Sequence, residues 1–162
     1  MNANFQPVWR ALFHLGVASA DLDDAVQQVF CAALGKVTSI REVTERAWLM
    51  GVALRVAFRF RRTYARRREV SDDALVNRSD SGPAPDDLVD RQVLLVLIQR
   101  VLDAMPDDLR EVFVLYEIED MTVPEIAGLL AVPTGTVASR LRRARAEFER
   151  RVKLAQRPGR AR

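Results

Sequence analysis

Apolar residues along this chain recur at three- and four-residue intervals rather than in alternation, in runs long enough for helices and separated by turn formers. That spacing predicts an all-α protein with no segment reading as strand. The first helix begins near Pro7, a residue suited to a first helical turn because it has no amide hydrogen to leave unbonded. It is expected to bury Trp9, Leu12 and Phe13 and to stop at Gly16. A second opens near Asp21, with Val26, Val29, Phe30 and Ala33 along one stripe and Asp24, Gln27 and Cys31 along another. The third runs from about Thr44 to Arg68. At about 100° per residue its Leu49, Val52, Ala53, Val56 and Phe60 share an inward arc, while Arg55, Arg59, Arg62 and Arg66 align on an adjacent one.

Periodicity then lapses. The stretch "SDDALVNRSDSGPAPDD", Ser71 to Asp87, is rich in Ser, Asp, Gly and Pro and reads as a flexible linker between two small helical domains, residues 1–70 and 88–156. A fourth helix from about Asp86 to Met105 carries two apolar stripes. One holds Leu94, Leu97, Ile98, Val101 and Met105, the other Val89, Val93 and Val96, so two packing partners are expected. Pro106 starts a further helix, with Asp107 and Asp108 in the first turn where negative charge suits the helix dipole and Leu109, Val112, Phe113 and Tyr116 facing inward. Thr122 followed by Glu125 has capping-box spacing ahead of Ile126, Leu129 and Leu130.

That short helix, the turn A-V-P-T and a longer helix make a helix-turn-helix pattern, with small Ala127 where the two helices cross. On the longer helix Val137, Leu141, Ala144 and Phe148 form one inward seam. Ser139, Arg142 and Arg143 lie opposite, flanked by Thr136 and Arg140. A helix anchored in this way can enter a B-DNA major groove, where arginine bonds a guanine edge in bidentate fashion or clamps phosphate.

Charge distribution strengthens this reading more than total charge does. The net charge is only +3, yet seven of the fourteen residues from Arg55 to Arg68 are arginine. One cysteine, Cys31, and one histidine, His14, leave no intramolecular disulfide and no His/Cys metal set, so neither metal nor cofactor is expected. No phosphate-binding loop or nucleophile–base constellation is present, which argues against an enzyme with catalytic residues. The apolar run Val93 to Ile98 is far short of the roughly 20 residues that span a membrane, and the N-terminus lacks a signal pattern. A cytoplasmic location is expected.

"MPDDLREVFVLYEIEDMTVPEIAGLLAVPTGTVASRLRRAR", Met105 to Arg145, resembles region 4 of the extracytoplasmic-function group of bacterial sigma factors, with Met105 where leucine is usual. "DLDDAVQQVFCAAL" and "AWLMGVALRVAFRFRRTYARRREV" resemble its region 2. The resemblance implies a region 2 helical bundle and a region 4 helix-turn-helix, together binding core RNA polymerase and promoter DNA, with an anti-sigma factor as a further partner. It implies that Asp24, Gln27 and Gln28 dock on the polymerase, that Trp48, Arg55, Arg59 and Arg62 face the −10 DNA, and that residues 36–46 form the loop holding a flipped −10 base. It places Thr136, Ser139, Arg140, Arg142 and Arg143 at the −35 element. For Trp48 its place on the arginine stripe points toward exposure. The stripe of Val89, Val93 and Val96 is expected to pack on the first domain or on an anti-sigma helix.

Four departures from the family pattern stand out. The chain begins late in the usual first helix of region 2, Ala131 replaces a turn glycine, Ala138 stands where a basic residue is frequent, and Gln28 replaces a common glutamate. Two rival readings use the same arginines. One is a one-component helix-turn-helix regulator that does not bind core polymerase. The other, a protein binding acidic membrane surfaces, leaves the capped turn without a purpose.

Overall fold

The computed structural model describes residues 5–34, 45–70 and 86–156. The linker positions 71–85 and most of the predicted flipped-base loop, positions 36–44, lie outside them. Helix α1 spans Phe5–His14, and a 3₁₀ turn at Ser19–Asp21 leads into α2, Leu22–Leu34. Helix α3 spans Glu45–Val70 and α4 spans Asp86–Ala104. Helix α5, Asp107–Phe113, continues into a π-helical turn at Val114–Ile118, and α6, Val123–Leu130, and α7, Thr134–Ala155, complete the chain. No strand occurs among the described residues.

Helices α1, α2 and α3 pack on one another, and α7 lies against α4, α5 and α6. Gly16 ends α1 with φ +94, the left-handed conformation that costs glycine least, and the Val17 amide donates to the Leu12 carbonyl at 3.1 Å. A Cβ at Gly16 would lie 2.5 Å from Nη1 of Arg110, so close approach as well as conformation requires glycine there. The inward stripe of α1 is Val8, Ala11 and Leu12, continued by Leu15. Trp9 and Phe13, expected to be buried, are half-buried. They stack on each other at the edge of that stripe, with centroids 5.5 Å apart.

Helix α3 buries Leu49, Val52, Ala53 and Val56 as expected, with Phe60 half-buried, but also buries Ala47, Met50 and Ala57 on a separate arc. Helix α6 of the second half packs on α3, and Leu129 Cδ1 lies 3.5 Å from where a Cβ on Gly51 would sit. The buried apolar side chains of both halves form one continuous cluster.

On α4, Val101, Leu102 and Met105 are buried and Leu97 and Ile98 half-buried, while Leu94 is exposed. Val93 and Val96 are 62% and 47% exposed, so the expected packing of that stripe on the first half does not occur. The side chain of Val89 lies outside the described residues. Contact with the first half is made instead through Gln99, farther along α4. Its side chain is buried, donates to the Phe13 carbonyl at 3.0 Å and lies 3.0 Å from His14 Nδ1.

The capping box at α6 is complete. Glu125 N–H donates to Thr122 Oγ1 at 3.4 Å, and the Thr122 amide donates to Glu125 Oε2 at 2.8 Å. Those backbone and hydroxyl hydrogen bonds hold the Glu125 carboxyl below its ordinary pKa. At the other end of α6, Ala131 takes the left-handed conformation, φ 55 and ψ 43, that a turn glycine would adopt without strain.

Because Ala131 pays for that conformation, Ala131→Gly should raise the unfolding free energy by about 0.5–1 kcal/mol in denaturant titration. A loss of stability would contradict the strain. Burial pushes the His14 pKa down, against smaller opposing effects from Gln99, Glu119 and Asp103, and with a small push in the same direction from Arg10. The unfolded chain therefore takes up the proton first as pH falls. His14's contribution to stability is full above about 6.5 and is lost as pH drops through its lowered native value. Thermal melts from pH 8 to 5 should show this loss, and His14→Gln should flatten it.

Candidate nucleic-acid interface

The recognition helix α7 is fixed by a seam of Val137, Leu141 and Ala144, all buried. Half-buried Phe148 extends the seam by stacking on Phe113, with centroids 4.6 Å apart. With that side held, Ser139, Arg142 and Arg143 stand exposed on the other, and Thr136 and Arg140 are half-buried at its margin. Ser139 Oγ donates to the Thr136 carbonyl at 3.0 Å, tying the two small polar residues into one turn.

The arginines of α7 differ in what already occupies them. Arg145 Nε donates to Glu117 Oε1 at 2.6 Å and its guanidinium lies over the Tyr116 ring at 5.3 Å, so it is turned back onto its own half. Arg150 and Arg151 both pair with Glu147, whose carboxyl they hold down to about 2. Arg140 Nε lies 3.8 Å from Asp108 Oδ2. Arg142 and Arg143 make no ion pair among the described residues, so their guanidinium groups are available to a polyanion without breaking an internal contact.

The second surface lies on α3. Arg55, Arg59 and Arg62 are exposed, and Trp48, expected to lean toward exposure, is half-buried against the apolar cluster. The structure brings this surface and the polar stripe of α2 together. Arg59 Nη2 donates to Gln28 Oε1, and the two helices form a cleft of about 280 Å³ lined by Asp21, Asp24, Gln28, Arg59, Phe60, Thr63 and Tyr64. Asp24 and Gln27 are exposed and Gln28 is half-buried, so all three remain reachable from solvent. The α3 and α7 surfaces belong to separate halves of the chain.

A third constellation had no counterpart in the sequence pattern. Glu119, at the end of the π-helical turn, has a side chain with 0% exposure. Arg10 of α1 donates to it from Nε at 2.9 Å and from Nη2 at 3.0 Å, and Arg46 of α3 donates to its backbone carbonyl at 2.5 Å. The hydrogen bond that Arg10 donates to Glu119 raises the Arg10 pKa, against a smaller lowering by burial. Nearby, Arg110 is buried, with Nη2 3.2 Å from Asp107 Oδ1 and Nη1 3.6 Å from Asp103 Oδ1, while Arg61 of α3 also pairs with Asp107. Desolvation, then the charge of Arg61, push the Arg110 pKa down. In the sequence, Arg10, Arg46, Glu119 and Gln99 look like ordinary surface polarity. Arg10, Arg46 and Glu119 find these partners only where the two halves meet, whereas Gln99 also donates to Asp103 within α4 at 3.0 Å.

Comparison with known proteins decides between the readings left open. Residues 95–148 match the family model described as sigma-70, region 4. The ECF RNA polymerase sigma-E factor of Escherichia coli strain K12 is 32% identical over 145 residues, an alignment that covers 84% of this chain and 76% of that protein. This chain belongs to the ECF RNA polymerase sigma factor family. The sigma factor SigE of Mycolicibacterium smegmatis is 28% identical, with 87% of this chain aligned to 55% of that longer protein. The fold is shared with the sigma factor RpoE of Bartonella quintana, solved with the anti-sigma factor NepR, at a TM-score of 0.74 and 21% identity over 94% of this chain and 93% of that one. It is also shared with CnrH, solved with the cytosolic domain of CnrY, at a TM-score of 0.68 and 24% identity over 91% and 80% of the two chains.

Proposed function

We propose that this sigma factor binds core RNA polymerase, directs it to promoters and initiates transcription, acting as a specificity subunit without catalytic residues of its own. The observation that carries the reading is the pairing of two cationic helical surfaces on separate halves, within an alignment to sigma-E that extends well beyond the helix-turn-helix. A one-component regulator would need only the latter. Helix α7 reads the −35 element, with Arg142 and Arg143 as its free cations and Thr136, Ser139 and Arg140 at the groove margin. Phosphate contacts hold register there and base contacts set sequence.

Trp48, Arg55, Arg59 and Arg62 of α3 face the melted −10 strand, where an aromatic ring stacks on bases and arginines follow the backbone. Asp24, Gln27 and Gln28 of α2 dock on the polymerase. An anti-sigma factor is a natural further partner, since the RpoE structure of the same fold was solved with one. No described helix is long and apolar enough to cross a membrane, and work on polymerase places the protein in the cytoplasm.

The test is run-off transcription with core polymerase on a pool of promoters. Transcripts that require the chain and share upstream sequence are expected, and polymerase that neither binds the chain nor initiates would overturn the reading. Within that assay, Arg143→Ala should weaken −35 binding by about 1–3 kcal/mol and relax preference at one base position. An equal loss on every sequence would reassign Arg143 to a phosphate.

A further inference from the structure

Each promoter-facing surface is built within one half of the chain, yet the two halves are also joined by a polar interface that neither surface needs. Its centre is the Glu119 carboxylate, which has no exposure of its own while the Arg10 and Arg46 side chains that meet it are each 46% exposed. Arg10 contacts both carboxylate oxygens, Arg46 Nη2 lies 3.5 Å from Oε2, and Arg10 Nη2 reaches the Ile118 carbonyl at 3.4 Å. Backbone geometry aims the group. The π-helical turn closes with the Glu119 amide donating to the Val114 carbonyl at 3.0 Å, and Asp120 then reverses the chain at φ 50. Gln99 with His14, and Asp107 with Arg61, join the halves on either side.

This closure reaches the DNA-facing side of α3. At about 100° per residue, Gly51 lies about 60° from Trp48 and about 40° from Arg55 around the helix axis. Leu129 of the helix-turn-helix sits against Gly51, so α6 abuts the flank of the arginine arc. Distance makes the same arrangement unsuited to a promoter. Elements at −10 and −35 are about 25 base pairs apart, about 85 Å of B-DNA at 3.4 Å per pair, whereas a folded chain of this length has a radius of gyration of about 15 Å.

We propose that the Arg10–Glu119–Arg46 cluster is a latch that holds the free sigma factor closed and that must open for the two halves to engage the −10 and −35 elements together. The inference rests on the sigma-factor reading for its purpose but not for its geometry. The chemistry suits a reversible device. A buried ion pair yields little net stability because desolvation offsets attraction, yet removing one partner strands the other. Opening returns all three groups to water.

The experiment uses the full chain, spin-labelled at native Cys31 and at Lys153→Cys, both exposed, with distances read by double electron–electron resonance. The otherwise unmutated labelled chain should give one narrow distance, and core polymerase with promoter DNA should replace it with a longer one. Glu119→Gln should lower the closed-to-open ratio by about 10- to 100-fold, since hydrogen bonds to a charged group are lost. Arg10→Gln combined with Arg46→Gln removes the same contacts from the other half. It should act alike, which separates unlatching from damage to the α5–α6 turn.

Arg150→Gln, which breaks an exposed pair within α7, should leave the distance unchanged. Variants that keep the parental distance distribution, or an unmutated chain already spread over long distances, would overturn the latch. Run-off transcription separates the two readings. Active protein that is never closed removes the latch alone, while a closed, latch-sensitive protein that initiates nothing removes the sigma-factor reading alone.

Discussion

Helix α3 must satisfy three environments at once, and the rest of the structure is arranged around that constraint. One arc, Leu49, Val52, Ala53 and Val56, is buried in the first half, and another, Ala47, Met50 and Ala57, is buried as well. The remaining arc carries Arg55, Arg59 and Arg62 in water. Packing removes apolar area on both arcs from solvent, at about 25 cal/mol per Å², and α6 of the second half adds a further neighbour at Gly51. A helix so built is a wall shared by the two halves. The polar contacts at Glu119, Gln99 and Asp107 make that docking specific, because buried polar groups tolerate few arrangements that leave all of them paired.

Much of this was legible in the order of residues. The seven α-helices of the described residues followed from periodicity and punctuation, and the capping box at Thr122 and Glu125 appeared where its spacing required. The replacement of a turn glycine by Ala131 announced a strained left-handed residue, and the structure has one there. The seam of α7 was likewise readable, because one helix face meets one core and a 3.6-residue period suffices to find it.

The interface between the halves was not legible, for an identifiable reason. Arg10, Arg46 and Glu119 are separated by up to 109 positions, and each is a residue type that ordinarily faces water. The burial of Met50 and Ala57 could have been suspected from an α3 too apolar for a single stripe. Of the two partners expected for Val93 and Val96, the first half is not the one that covers them, because an apolar stripe identifies a surface able to pack without saying what it packs on. That part of α4 stands clear of the first half. Trp48 was ambiguous in the sequence and is intermediate in the structure, half-buried beside exposed arginines.

Internal pairing divides the many arginines. Arg145, Arg150 and Arg151 pair within the second half, Arg10, Arg46 and Arg61 pair across the two halves, and Arg142 and Arg143 make no ion pair among the described residues. Arg55, Arg62, Arg142 and Arg143 are exposed in the closed chain, so separation of the halves would change the spacing of the two cationic surfaces and not their exposure. Small-angle X-ray scattering of the polymerase-free chain measures that separation directly. The account predicts a single-peaked pair-distance distribution with a radius of gyration near the compact value of about 15 Å. A distribution with two maxima, the signature of two bodies on a tether, would contradict it.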